Sequence, residues 1–417
     1  MKKVAIECAE RELGSGLCCI AVRNPGVPTF AAVASFRVGQ CDETAREHGL
    51  AYFTGTMLEE GTRQRDSIAL AEAVEEIGAS LDTTSNGAAV HCPADEAKKA
   101  VRLLHEVLLE PAFDAREARR IQGEILAEIE ADEADPRSVA RLRFRAEAYG
   151  AHPFARPRYG SRTALAALRS ADLVRFHRRW FVPQETIVAA VGPFETEETL
   201  DLLAKTFRGF RGTAPERAPV VPPEMPAERR DVHLPMDREQ VHVYLGHAGI
   251  RRADPDYIPL LVMDHVLGTG PGFTSRIGKK LRDEQGLCYS VSAGITSGAG
   301  LEPSLFAAYI GTSPEHRKRA IDGFLTEIRA IRSTPPTDQE VRDVQDYLTG
   351  NWVFGLERSS HLASYVLSCR RFGLGYDYLE RYPDLVRAVT TDDVMRAAQT
   401  HLDPKRVLIV SAGAGAK

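Results

Sequence analysis

The stretch Gly49-Leu-Ala-Tyr52-Phe-Thr-Gly55-Thr56-Met-Leu-Glu-Glu-Gly61-Thr62 decides how this chain is read. Leu50, Phe53, Met57 and Leu58 recur at helical spacing, so the segment is expected to form an amphipathic helix with those four as its apolar stripe. Tyr52 and Thr56 are four residues apart and share one face of that helix. Gly55 lies inside it, where glycine costs roughly 1 kcal/mol against alanine.

The 417 residues are enough for two or more domains. A hydrophobic fraction of 43% and a charged fraction of 27% are ordinary for a soluble globular protein. The net charge of −5 carries no basic excess, so nucleic acid is not expected as a partner. Apolar runs such as Val188-Ala-Ala-Val191 and Val407-Leu-Ile-Val410 are strand-sized. They fall far short of the roughly 20 residues of a membrane span, so no membrane association is expected. Glu7 and Glu10 interrupt the N-terminal stretch before it reaches the length of a signal-peptide core, which implies a cytoplasmic protein. Seven cysteines without C-x-x-C spacing (Cys8, Cys18, Cys19, Cys41, Cys92, Cys288 and Cys369) read as mostly buried thiols in a reducing compartment.

The chain repeats its plan with an offset of about 210 residues. In the first half the helix around residues 49–60 precedes Ala79-Ser-Leu-Asp-Thr-Thr-Ser-Asn86, a strand over Ala88–Cys92 and a helical stretch over Asp95–Leu109. In the second, a helix over Tyr257–Leu267 precedes Leu287-Cys-Tyr-Ser-Val-Ser-Ala293, a strand over Leu305–Ile310 and a helical stretch over Pro314–Ile331. Ile187–Gly192 and Val407–Ala412 close the halves alike. A proline-rich spacer over residues 212–230 divides the domains, 1–211 and 231–417, because proline continues neither a helix nor a central strand. Further helices are expected over Asp114–Ala134, Arg137–Tyr149 and Asp338–Tyr347, with another from Ser359. The fold class is α+β: two homologous halves, each an antiparallel-rich sheet covered by helices on one face.

These segments together resemble the pitrilysin and mitochondrial-processing-peptidase family of inverzincin metallopeptidases, over nearly the whole chain. That family carries G-x-A-H-x-x-E-H-M-x-x-x-G-T where this chain has Gly49–Thr62. The frame matches at Gly49, Ala51, Met57, Gly61 and Thr62. Tyr52 and Thr56 stand at the positions of the two histidine ligands, and Gly55 at that of the general-base glutamate. Two histidines at i and i+4 grip one zinc ion, and a glutamate between them deprotonates the bound water. Tyrosine and threonine are poor ligands at neutral pH, and glycine is no base. Glu128, within Arg119-Arg-Ile-Gln-Gly-Glu-Ile-Leu-Ala-Glu128-Ile129, falls at the third-ligand position, 72 residues beyond Thr56. A lone carboxylate does not make a zinc site, and the twelve histidines offer no replacement cluster. No metal is expected in this chain.

The second half is closer to the family pattern: Asp254-Pro-Asp-Tyr257, Leu267-Gly-Thr-Gly270-Pro-Gly-Phe273-Thr-Ser275-Arg276, and Leu281-Arg282-Asp-Glu-Gln-Gly286-Leu287-Cys-Tyr289. Gly268-Thr-Gly270-Pro-Gly272 lacks the lysine of a phosphate loop and reads as a structural turn. The resemblance implies that Arg282 and Tyr289 bind the substrate backbone and stabilise the oxyanion opposite a zinc ion. It also implies that Leu81–Asn86 form an edge strand where an extended substrate, held near Thr83, Thr84, Ser85 and Asn86, adds to the sheet. In bacterial heterodimers of the family one chain carries H-x-x-E-H and the other the Arg/Tyr pair, their halves facing one another around a chamber. This chain resembles the second kind. The expected function is that of a zinc-less metallopeptidase subunit, half of a clamshell chamber, inactive alone and completed by a homologous zinc-bearing partner for peptide hydrolysis. The alternative is an inactive structural or peptide-binding homologue.

Overall fold

The computed structural model describes residues 6–270 and 274–415. Six strands form the first sheet: β1 (Glu7–Glu12), β2 (Cys18–Arg23), β3 (Thr29–Phe36), β4 (Ser80–Thr84), β5 (Gly87–Pro93) and β6 (Thr186–Gly192), in the order β1-β2-β6-β3-β5-β4. Five form the second: β7 (Arg230–Pro235), β8 (Val241–Ala248), β9 (Val291–Gly294), β10 (Leu305–Thr312) and β11 (Leu408–Gly413), in the order β7-β11-β8-β10-β9. With β1 set aside, the two orders coincide. The first neighbouring pair is parallel in each, β2 with β6 and β7 with β11, and every other pair is antiparallel. The internal repeat is therefore a repeat of topology.

The helices are α1 (Leu50–Thr56), α2 (Ser67–Glu76), α3 (Ala97–Leu109), α4 (Ala115–Ala134), α5 (Pro136–Tyr149), α6 (Arg162–Ala167), α7 (Ser170–Trp180) and α8 (Thr196–Thr206), then α9 (Tyr257–Asp264), α10 (Arg317–Ser333), α11 (Asp338–Glu357), α12 (Ser359–Phe372), α13 (Tyr378–Arg387) and α14 (Thr391–His401). Helix α11 runs on through Trp352 and Phe354, ten residues past the end expected from sequence. Gly268 and Thr269 end a π-helical turn that continues α9. The rest of that glycine-rich turn, Pro271–Phe273, lies outside the described residues. Among the described residues no helix is long and apolar enough to cross a membrane.

One face of each sheet carries helices of its own half. In the first, Phe30, Ala32, Ala34 and Phe36 of β3 pack in one core with Val101, Leu104 and Leu108 of α3. The second face is covered by a helix drawn from the other half of the chain. Helix α12 lies on β3 and β6, and β6 is buried along its whole length. Helix α5 lies on β8 and β11, setting Ala140, Phe144 and Ala148 against Tyr244, Leu408 and Val410. Pro136 occupies the first turn of α5, and the Asp135 carboxylate accepts the Ser138 amide at 2.9 Å, so the helix starts with its free donors answered. The chain forms two compact units that follow this exchange: the first includes Trp352–Glu380 and the second Glu130–Arg156. The expected boundary at the proline-rich spacer separates the strands of the two sheets, while these two helical segments cross it.

Asp264, at the end of α9, is buried. It accepts the Ile295 amide at 2.9 Å, the Thr296 amide at 2.8 Å and the Thr296 hydroxyl at 2.6 Å, pinning the chain just beyond edge strand β9. Burial pushes its carboxyl up to about 6, against the pull of those donors. The folded protein thus holds this proton more tightly than the unfolded chain. The associated stability is fully present below about pH 4 and is lost as pH rises through about 6. Relative to an Asp264→Asn variant, the wild-type chain should gain up to about 3 kcal/mol as pH falls from 7 to 4, read as a shift in urea midpoint. A constant difference across that range would refute the assignment.

Candidate functional site

The frame residues of the Gly49–Thr62 stretch have structural roles. Gly49 begins α1 with φ +88°, and a Cβ there would fall 2.2 Å from the Tyr159 carbonyl oxygen. Gly160 (φ +82°) is its counterpart, with a Cβ position 2.2 Å from the His48 carbonyl oxygen. Only glycine fits either place. Glu43 supplies the cap that Gly49 lacks, its carboxylate accepting the Gly49 amide at 3.2 Å and the Ala51 amide at 2.9 Å. Ala51 and Met57 are buried. Thr62 donates to the buried Glu106 carboxylate, which also pairs with Arg65. Sequence reasoning missed Glu43 and Glu106, because each acts on residues brought to it by the fold rather than by helical spacing.

Of the reactive positions, Tyr52 and Glu128 meet, while Thr56 bonds to its own helix. Tyr52 Oη donates to Glu128 Oε2 at 3.3 Å. The Arg158 guanidinium lies 4.9 Å from the centre of the Tyr52 ring and 3.9 Å from Glu128 Oε1. Burial, reinforced by the Glu128 charge, raises the Tyr52 phenol above its ordinary pKa, so it stays protonated and acts as a donor. Thr56 turns its hydroxyl back on its own helix, donating to the Tyr52 carbonyl at 3.1 Å. A neutral phenol, a hydroxyl spent on the backbone and one carboxylate beside a fixed cation do not fit a zinc ion, which takes three or four converging Lewis-basic ligands.

Gly55 explains why the base position is empty of side chain. A Cβ there would fall 2.3 Å from the Thr84 carbonyl oxygen and 2.4 Å from Ser85 Cα. The turn joining β4 to β5 occupies the space that a glutamate would need. Thr84, Ser85 and their neighbours therefore sit against α1. The Thr84 hydroxyl donates to Asn86 Oδ1 at 3.1 Å, and the Thr83 hydroxyl interacts with Glu59, whose carboxyl burial pushes up. Strand β4 pairs with β5 alone and stands at the edge of its sheet, as expected.

Elsewhere, Asp254, Asp256 and His401 form the single metal-like cluster among the described residues. Arg396 already grips Asp256 through both guanidinium nitrogens, at 3.1 and 2.8 Å, and His401 binds it at 2.9 Å. A cation placed there would have to displace that pair.

The second unit repeats the glycine contact. A Cβ on Gly268 would fall 2.4 Å from the amide nitrogen of Ala293 in edge strand β9. Just before β9, Arg282 on the π-helical turn Gly278–Glu284 meets Tyr289, its guanidinium carbon 5.7 Å from the ring centre. Tyr289 is 87% exposed, the most exposed of the large apolar and aromatic residues described. The segment beneath the pair is firmly held. Leu281 and Leu287 are buried, the Leu287 amide bonds the Leu281 carbonyl at 2.9 Å, and Thr312 of β10 donates to the Leu287 carbonyl at 2.7 Å. Arg276 anchors the turn by a two-point pair with Glu340 at 2.6 and 2.8 Å, which holds that carboxyl down at about 2. Glu284 pairs with Lys280 at 3.3 Å. Cys288 lies between the two residues, its thiol pushed up to about 11 by burial and so inert as a nucleophile.

Two outcomes follow. Gly55→Ala should lower stability by about 1–3 kcal/mol in urea unfolding, since the added methyl must displace backbone; an unchanged midpoint would contradict the close approach. The purified chain, dialysed against micromolar zinc, should carry well under one equivalent by elemental analysis.

Two family models match the chain: Insulinase (Peptidase family M16) over residues 19–162 and Peptidase M16 inactive domain over residues 167–348. An uncharacterized zinc protease of Mycobacterium tuberculosis is 26% identical over 84% of this chain and 80% of its own length. The non-peptidase homolog YmxG of Helicobacter pylori is 24% identical over 76% and 73%. Subunit 1 of the mitochondrial cytochrome b-c1 complex of Bos taurus is 27% identical over 62% and 54%. Among solved structures, a peptidase M16 inactive domain from Pseudomonas fluorescens superposes with a TM-score of 0.92 at 24% identity, covering 99% of this chain and all of that one. With its topology repeated in both halves and both family models matched in order, this chain belongs to the M16 peptidase family.

Proposed function

We propose that this chain is the zinc-less subunit of a heterodimeric M16 peptidase, completed by a homologous zinc-bearing chain. The observation that carries the reading is Tyr289. A phenol this exposed, beside a guanidinium on a firmly anchored turn, supports a role for the pair outside its own unit. Arg282 would bind the peptide carbonyl and, with Tyr289, stabilise the oxyanion that develops during attack; zinc and its activated water would come from the partner. The β4 edge, with Thr83, Thr84, Ser85 and Asn86 at its end, would receive an extended peptide through main-chain bonds. The hydrogen-bonded cluster of Tyr52, Glu128 and Arg158 and the filled space at Gly55 leave this chain no base of its own at that site. Seven free thiols, several with strongly raised pKa values, suit a reducing cytoplasm.

A second reading, a peptide-binding or structural homologue without catalysis, is favoured by the names of two relatives, a non-peptidase homolog and a subunit of the cytochrome b-c1 complex. Mixing separates the two. A quenched fluorescent peptide library is incubated with this chain, with a zinc-bearing M16 chain from the same organism, and with both. The proposal expects hydrolysis in the mixture alone, reduced about 100-fold or more by Arg282→Ala and about 10-fold or more by Tyr289→Phe, with the complex still formed in size-exclusion chromatography. Complex formation without hydrolysis would establish the scaffold reading, and hydrolysis indifferent to Arg282 would remove the assigned role.

A further inference from the structure

The second unit contains a cavity of about 460 Å³ that the proposed chemistry does not use. Its floor is the face of β8 and β10 bearing Tyr244 and Tyr309, one wall is α5, and the opposite wall is edge strand β9 with the loop after it. Two arginines of α5 line it, Arg137 and Arg145. They are eight residues apart, hence on the same side of the helix and about 12 Å apart along its axis. No carboxylate is among the lining residues.

Arg145 is half-buried, and among the described residues no acid pairs with it. Its guanidinium lies against two rings that meet edge to face, 5.0 Å from the centre of Tyr149 and 5.3 Å from that of Phe154. Burial lowers its pKa, with no carboxylate offsetting the loss of water. Arg137 lies 4.5 Å from the centre of the Tyr309 ring and interacts with the Tyr244 hydroxyl. Elsewhere in this unit the inward arginines meet acids, as Arg276 does with Glu340 and Arg317 with Asp231. Contact with the rings restrains each guanidinium without using up its N–H donors, and a carboxylate can meet such a fork at two points. Ser292, Ala293 and Gly294 of β9 line the far wall, and β9 pairs with β10 alone. An extended peptide running beside β9, clear of the Ala293 backbone that Gly268 packs against, would send a side chain into the cavity.

We propose that this cavity is a binding site for a carboxylate-bearing peptide, in which Arg145, aided by Arg137, grips an acidic side chain or a terminal carboxylate beside the β9 edge. That the carboxylate arrives on a peptide rests on the peptidase-family reading above. Binding itself needs neither the zinc-bearing partner nor Arg282.

The test uses the full chain alone. Fluorescence anisotropy compares a labelled decapeptide carrying glutamates with a version bearing glutamine throughout and an amidated C-terminus. The proposal expects the acidic peptide to bind at least 10-fold more tightly. Arg145→Gln should abolish that preference while leaving binding of the neutral peptide unchanged, and Arg145→Lys should restore part of it. Arg137→Gln should weaken the preference by a smaller factor. Equal binding of the two peptides to the wild-type chain overturns the proposal without recourse to any variant. So does a preference that survives both glutamine substitutions. Inorganic phosphate competing at micromolar concentration would overturn the peptide assignment in favour of a free anion. Failure to complement a zinc-bearing chain would sink the catalytic reading and leave this binding result standing, because the partner is absent from the assay.

Discussion

In both units a helix is pressed so closely against the backbone of an edge strand that its contact position admits only glycine. Gly55 meets the turn after β4, and Gly268 meets β9. The rest of the candidate site depends on this approach. It places the β4–β5 turn against α1, removes the room for a glutamate, and leaves Tyr52 and Thr56 to satisfy their polar atoms on Glu128 and on the helix backbone. The absence of a base is thereby built into the packing, and restoring one residue type would not restore the space for it.

Electrostatics follows the same line. A zinc site needs a concentration of electron-pair donors with few cations nearby. Here Arg158 lies over Tyr52 and beside Glu128, an arrangement that a divalent ion would meet as repulsion. The second unit is arranged oppositely. Arg282 and Tyr289 project from a turn whose foundations are apolar burial, a two-point Arg276–Glu340 pair and the buried carboxylate of Asp264. Over that rigid support Arg282 is half-buried and Tyr289 stands exposed.

Each sheet is completed by a helix from the other half of the chain. Helix α5 brings Arg137 and Arg145 to the second sheet, although both residues belong in sequence to the first half. The carboxylate cavity exists because of that exchange, and so does the stacking of Arg137 on Tyr309.

The strands at Ala88–Cys92, Ile187–Gly192, Leu305–Ile310 and Val407–Ala412, the internal repeat and the family motifs were legible in the sequence, because each is set by local periodicity or by fixed spacing along the chain, whereas β1, β2, β3 and β7 were not read from it. So were the identities at Tyr52, Gly55, Thr56, Glu128, Arg282 and Tyr289, whereas the hydrogen bond from Tyr52 to Glu128 was not. What the sequence could not give were contacts between residues far apart in the chain: the Glu43 cap, the Glu106 pairing with Thr62 and Arg65, the buried hydrogen bonds of Asp264, and the exchange of α5 and α12. Helical periodicity says which face of a helix is apolar, but it does not say which sheet that face will cover. The sequence determined which side chains the protein has for chemistry. Only the tertiary structure decided that Gly55 is glycine because backbone fills the space before it, since the clash is with atoms about thirty residues away that no local pattern encodes.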